Sequence, residues 1–229
     1  MSDTLNRLRE ANPALDIQSV EAPAFARYGQ VLPYDAAEMI ARAAAILPTS
    51  DGVVYEPSVA ALEAPSALNT AIERGVYGEM PVQVGWCYGK NLQMAGLEYH
   101  KGNEVNVCLT DVVLLVGHID DVVYGEEAIT YDTARVAAFY APAGAVVELP
   151  AWNLHFAPIH VREADRFCTL VYLPKGTNEA LAHRVEPVGE NRLLFAVNKW
   201  LLVHPEAAGL VAQGAYPGLV GADIFVRPI

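Results

Sequence analysis

The sequence is short of basic residues, of cysteine and of long apolar runs. Lys and Arg number 15 against 27 Asp and Glu, giving a formal charge of −12 over 229 residues. No cluster of Lys or Arg occurs anywhere. A protein that tracks phosphates carries a basic stripe, so nucleic acid and anionic membrane surfaces drop out as partners. Cysteine appears only at positions 87, 108 and 168. That is an odd number without CxxC or finger spacing, which excludes a disulfide framework and a zinc finger. Each lies in an apolar, strand-like run and reads as a buried free thiol in a reducing compartment. The longest apolar stretches, such as residues 112–116, are far too short to span a bilayer. The polar opening MSDTLNRLRE lacks the apolar core of a signal peptide. A cytoplasmic location is expected. Internal repeats, low-complexity tracts, G-x-S-x-G, a phosphate-binding glycine loop and a dinucleotide fingerprint are all missing.

What is present is apolar material for a core. The hydrophobic fraction is 53% and the charged fraction 18%, enough burial to offset chain entropy. The spacing predicts one domain over residues 1–229. Its core spans about 82–173, an N-terminal segment (1–81) and a C-terminal extension (174–229) packing against it. A short helix is expected over 4–12, stopped by Pro13. Residues 17–32 read as extended chain with a turn at Tyr28-Gly29. A helix follows from Asp35, with Asp35 and Glu38 as a capping-box pair. From residue 82, short runs rich in Val, Leu, Tyr and Phe alternate with turn signals. They predict strands at 82–88, 93–100, 104–109, 112–119, 135–140, 145–149, 155–161 and 167–173, an antiparallel sandwich or small barrel. In the tail, 177–183 and 205–213 look helical, and 193–203 is a long apolar segment of undecided type. There Trp200 is expected in the core, Lys199 outward, and Pro205 at a helix start.

Two segments carry chemistry. In Glu98-Tyr-His100-Lys-Gly-Asn-Glu104, residues two apart share a strand face, so Glu98 and His100 point together. Glu104 returns after a turn on the neighbouring strand. In Gly144-AVVEL-Pro150-AWNL-His155, a turn glycine starts a strand, a proline ends it and a histidine follows. Two carboxylates and two imidazoles converging from three strands make a four-ligand site for one divalent metal, Mn, Fe, Zn, Ni or Co, with positions left open.

These segments resemble the two motifs of the cupin superfamily. The first motif, H-x-H, three or four residues, E, six residues, G, is matched by Glu98-x-His100, three residues, Glu104, six residues, Asp111. The second, G, five residues, P-x-G, two residues, H, three residues, N, is matched by Gly144, Pro150-x-Trp152, His155 and Ile159. The spacing holds throughout, and four identities depart. Glu98 replaces the first histidine and makes the ligand set harder and more anionic; Asp111, Trp152 and Ile159 replace non-ligand residues or a motif asparagine. Within cupins, Glu21-APAFARYGQVL, Phe139-YAPAG and Trp152-NLHFAP resemble the ureidoglycolate lyase-like group. The chain departs from that group at Glu104. Cupin-type sugar isomerases are the next comparison.

The resemblance implies a mainly β fold: a double-stranded β-helix (cupin jelly-roll barrel) with N-terminal helices and a mixed C-terminal extension. It implies metal ligands Glu98, His100, Glu104 and His155, a homodimer, and a small-molecule substrate. The chemistry expected is that of a metal-dependent isomerase, epimerase or lyase. Such an enzyme acts on a small hydroxy or keto metabolite (a sugar, sugar acid or ureido acid) through a stabilised enediolate or alkoxide. Glu98, as an alternative to ligation, and Glu148, if it faces inward, are the candidate bases. Lys101, Asn106 and Trp152 are the candidate substrate contacts. The alternative reading is a non-catalytic cupin that binds a sugar or sugar acid.

Overall fold

The computed structural model describes residues 3–229. Helix α1 (Asp3–Ala11) buries Leu5 and Leu8, three residues apart and so on one face. Three short strands, β1 (Ile17–Ser19), β2 (Gln30–Val31) and β3 (Val54–Glu56), alternate with helices α2 (Ala37–Ala44), α3 (Ala60–Glu63) and α4 (Ala67–Gly75). The expected capping box does not form. Asp35 Oδ1 accepts from Ala37 N, but the helix begins later than expected. Glu38 therefore lies inside the first turn and pairs with Arg42 one turn on, at 2.7 Å.

The next strands are β4 (Val82–Gly89), β5 (Gly96–Tyr99), β6 (Glu104–Cys108), β7 (Val112–His118), β8 (Val123–Tyr124), β9 (Ile129–Asp132) and β10 (Ala137–Ala141). They are followed by β11 (Val146–Leu149), β12 (Asn153–Leu154), β13 (Ile159–His160) and β14 (Phe167–Pro174). One sheet runs β1-β10-β7-β12, with β13 also on β7; the other runs β2-β11-β6-β14-β4-β3. Every pair in these two sheets is antiparallel except β1–β10. Along the chain β6 lies in the second sheet, β7 and β10 in the first, β11 in the second, β12 and β13 in the first, and β14 in the second. Strands thus wind between two facing sheets, which is the double-stranded β-helix.

Both sheets are covered on both faces. Between them lie Leu114, Phe139, Val147, Phe167 and Val171. Helices α2 to α4 press Met39, Leu62 and Ile72 onto the back of the second sheet at Val84, Val105 and Leu170. Leu5, Leu8 and residues near the C-terminus cover the back of the first at Val113, Leu115 and Tyr140. Two-sided burial explains why β6, β7 and β14 read as nearly unbroken apolar runs rather than alternating ones. It also forces close approaches: a Cβ at Gly85 would collide with the backbone of Glu56 and Pro57.

The tail differs from its expected form. Residues 177–183 are not helical, because Gly176 and Asn178 both take positive φ, which a right-handed helix cannot absorb. The undecided apolar segment is a hairpin of β15 (Leu194–Ala196) and β16 (Lys199–Val203), turned at Val197-Asn198. Asn198 has φ 55, a left-handed position that Asn tolerates. Helix α5 covers only Ala208–Ala212, so Pro205 precedes it rather than starting it. Strand β17 (Leu219–Val220) pairs with β9. Strand β16 pairs antiparallel with β5, Leu201 opposite Glu98 and Trp200 opposite Tyr99, which brings the tail against the first motif. Among the described residues no helix is long and apolar enough to cross a membrane.

Candidate metal centre

Glu98 lies one residue before the end of β5, beside His155, and the two residues form an antiparallel bridge. Glu98 N donates to His155 O at 2.6 Å and His155 N to Glu98 O at 2.9 Å. Directly opposed residues present their side chains on one face. His100, two residues from Glu98, joins them. Glu104 arrives on β6 after the turn Gly102-Asn103. That turn is fastened to the second motif, since Asn103 Oδ1 accepts from Ala151 N at 3.3 Å. All four side chains are buried.

Glu104 Oε2 stands 3.4 Å from His100 Nε2 and 3.2 Å from His155 Nε2, and Glu98 Oε1 is 3.8 Å from His100 Nε2. Glu98, His100 and His155 each offer a ligand atom within 4.8 Å of the others. Two donors about 2.1 Å from a shared metal in a tetrahedron lie about 3.4 Å apart, so the separations fit a common ion.

The hydrogen bonds on the far side of each ring decide its tautomer. His100 Nδ1 donates to the Asn198 carbonyl at 2.7 Å, and a carbonyl can only accept. His155 Nδ1 lies 3.1 Å from Asn153 Oδ1. That amide is oriented by its own Nδ2, which donates to Tyr28 O at 2.8 Å. Both rings thus carry their proton on Nδ1 and turn a bare Nε2 inward, the arrangement that outer partners impose on metal-binding imidazoles. Neither Nε2 has a hydrogen-bond partner although both are buried. Two nitrogen lone pairs and two carboxylates face one another, an arrangement that could hold a metal ion.

The titration of these groups reflects that arrangement. Burial raises the Glu104 carboxyl, but the close approach of His155 and His100 outweighs it, holding the group well below the usual carboxylate range. Burial likewise lowers His155, yet Glu104 and then Glu98 pull it above its ordinary value.

A cavity of about 40 Å³ adjoins these groups, lined on its polar side by Glu98, Glu104, Asn106, His155, Tyr55 and Thr169. Asn106 Nδ2 donates to Glu104 Oε1 at 2.8 Å. Three other expected site residues are not brought there. Glu148 pairs across the sheet with Val105 rather than with Glu104, so strand alternation turns it to the other face. Its carboxylate accepts from Gln30 Nε2 at 2.6 Å and Asn103 Nδ2 at 2.5 Å. Lys101 extends outward to Glu190 at 2.5 Å, over the Trp200 ring. Trp152 is 47% exposed, its Nε1 donating to Arg27 O at 3.3 Å. Lys199 is the reverse case. Expected outward, it points in and pairs with Glu98 Oε2. Nothing in its local sequence signals this, because its neighbour β5 lies a hundred residues away. Asn153 had a signal, being two residues before His155 and so on its face. All three cysteines are buried and unbridged; burial pushes the Cys108 and Cys168 thiols up to about 12.

A family model described as "Domain of unknown function (DUF4867)" matches residues 17–224. The chain belongs to that family. No curated protein matches it. Among solved structures, an oxalate decarboxylase is 11% identical over 56% of this chain and 27% of that one, at a TM-score of 0.32. Oxalate decarboxylase from Bacillus subtilis is 14% identical over 43% and 22%, at 0.30. The DMSP lyases RdDddP and RnDddQII are represented at 16% identity over 40% and 37%, at 0.26. The chain spans about a quarter of the length of the oxalate decarboxylases it matches. The DUF4867 chain's four candidate ligands all lie inside the family match.

Proposed function

We propose that this DUF4867 protein is a cupin that holds one divalent metal on Glu98, His100, Glu104 and His155. We further propose that it catalyses proton-transfer chemistry, isomerisation or elimination, on a small hydroxy or keto metabolite. The observation that carries the reading is the pair of buried imidazole Nε2 atoms, stripped of protons by Asn198 and Asn153 and aimed at two carboxylates. Such a set is costly to bury without a cation. When bound, the metal supplies Lewis-acid charge where a substrate oxygen gains negative charge.

The chain's own groups divide the remaining work. Glu98 uses Oε1, the oxygen nearer His100, as a ligand. Its other oxygen, Oε2, stands beside the Lys199 ammonium and takes and returns the proton. Asn106 keeps Glu104 oriented and lines the cavity. The apolar walls Leu114, Leu115, Leu149 and Val171 exclude water, which strengthens every charge interaction inside.

Metal content by plasma mass spectrometry tests this. Wild type should retain close to one equivalent after loading, and His100→Ala, Glu104→Ala and His155→Ala, each first shown to be folded, should retain none. Wild type that holds no Mn, Fe, Zn, Ni or Co removes the metalloenzyme reading.

A further inference from the structure

Beside the converging acceptors stand hydrogen-bond donors: Tyr55 and Thr169 line the cavity, and Lys199, just outside its lining, reaches Glu98. Lys199 has three N–H donors. Its side chain is only 15% exposed, its charged contact is Glu98, and its ammonium lies 5.7 Å from the Phe156 ring centroid. Both Glu98 and Phe156 line the cavity. Tyr55 lies on β3 opposite Cys87, and Thr169 on β14 opposite the same Cys87, so the two flank it in one row across the sheet. Tyr55 Oη accepts from Asn178 Nδ2 at 2.8 Å, which leaves its own proton to donate. Burial, with Glu104 and Glu98 adding to it, raises the phenol far above its ordinary value, so that proton stays on. Thr169 Oγ1 is buried without any partner. An unmet buried donor is as costly as an unmet acceptor.

Charge gives the same answer. Glu98 and Glu104 contribute −2, Lys199 +1 and the two neutral imidazoles nothing, so a divalent metal brings the centre to +1. A buried site of charge +1 is completed by a monoanion. Size sets the third bound: about 40 Å³ is room for roughly three waters, at about 10–15 Å³ each.

We infer that the substrate is a monocarboxylate of two or three carbons carrying a hydroxyl or keto oxygen beside the carboxylate, with Lys199, Tyr55 and Thr169 receiving the carboxylate. The inference rests on the metal-site reading and narrows it from sugars and sugar acids to short 2-hydroxy or 2-oxo acids. A lysine is suited to the task because its point charge can serve Glu98 and the ligand together.

The test is isothermal titration of Mn(II)-loaded protein with glycolate, with neutral ethylene glycol of the same length, and with the longer monoanion gluconate. Mn(II) occupancy is followed separately by electron paramagnetic resonance. Glycolate should bind at least tenfold more tightly than either of the others. Lys199→Met should weaken glycolate tenfold or more, as expected for a charged hydrogen bond, at full Mn(II) occupancy. Lys199→Arg should stay within a few-fold of wild type, and the near-isosteric Thr169→Val should lose about fivefold. Wild-type affinity in Lys199→Met, or equal binding of gluconate or ethylene glycol, overturns the inference. Mn(II) bound with no glycolate affinity overturns it and leaves the metal centre standing. Failure to retain any of Mn, Fe, Zn, Ni or Co overturns both, since without a dication the charge count is −1.

Discussion

Two buried carboxylates on the same pair of strands, Glu104 on β6 and Glu148 on β11, have opposite surroundings. They are about equally hidden, 5% and 6% exposed, and their strands pair with Leu149 opposite Glu104 and Val105 opposite Glu148. One residue of alternation sends one carboxylate to each face of the sheet. Glu148 meets two amide N–H donors, Gln30 and Asn103, and is satisfied by neutral partners. It ties β2 and the first-motif turn to β11. Glu104 meets one amide and two imidazole nitrogens whose protons point elsewhere. Burial alone does not mark a functional acid. What marks it is that its neighbours are acceptors too, so that the group is satisfied only by something brought from outside.

The sharpest way to break this comparison is to delete each carboxylate in turn. Glu104→Leu should reduce metal affinity by more than about 100-fold, beyond the loss typical of an outer partner. Glu148→Leu should leave metal content at the wild-type level and lower unfolding free energy by about 1–3 kcal/mol, through two stranded amides. Plasma mass spectrometry and urea unfolding read the two effects. Metal loss in a folded Glu148→Leu would erase the distinction.

Asn153→Ala comes next in size. It removes the acceptor that keeps the His155 proton on Nδ1, and metal affinity should fall about 10- to 100-fold with little change in the circular dichroism spectrum.

A smaller effect belongs to pH. In the metal-free protein His155 is raised, so its contribution to stability is present below 6.5 and lost as pH rises through the higher folded value. Glu104 is lowered, so its contribution is present above 4.5 and lost as pH falls through its folded value. Their mutual attraction is therefore complete only between about 4.5 and 6.5. Thermal melts after chelation should show the melting temperature declining above that window. Added Mn(II) should raise it more at pH 8 than at pH 6, because metal and proton compete for His155. The smallest effect expected is from Trp152→Ala, which should leave metal content unchanged and shift stability by less than about 1 kcal/mol, as for a half-exposed side chain.

How far the sequence discloses this centre depends on the range of each interaction. Glu98, His100, Glu104 and His155 are legible because period-two alternation and short turns are local. Glu148 is not, because its face depends on the β6–β11 register, and a slip of one residue reverses it. Lys199 and Asn198 are hidden for another reason. A lysine in an apolar run reads as a solvated tip, and only the pairing of β16 with β5 turns it inward. The helical reading of 177–183 failed on backbone geometry, on left-handed positions at Gly176 and Asn178. The rhythm of short strands and turns from residue 82 onward, by contrast, gives an antiparallel sandwich or small barrel, and the winding between two sheets comes only with the resemblance of the two motifs to cupins.

The pairing of β16 with β5 also has a consequence in time. The last of the four ligands leaves the ribosome about fifty residues before Val203 completes the strand that fixes the His100 tautomer. At roughly 5–20 residues per second that is an interval of about 2–10 seconds. Throughout it the ligands exist but the grip does not. On the proposed metal reading, a nascent chain arrested there would hold metal weakly and exchange it freely, deferring the choice of ion until the tail has docked.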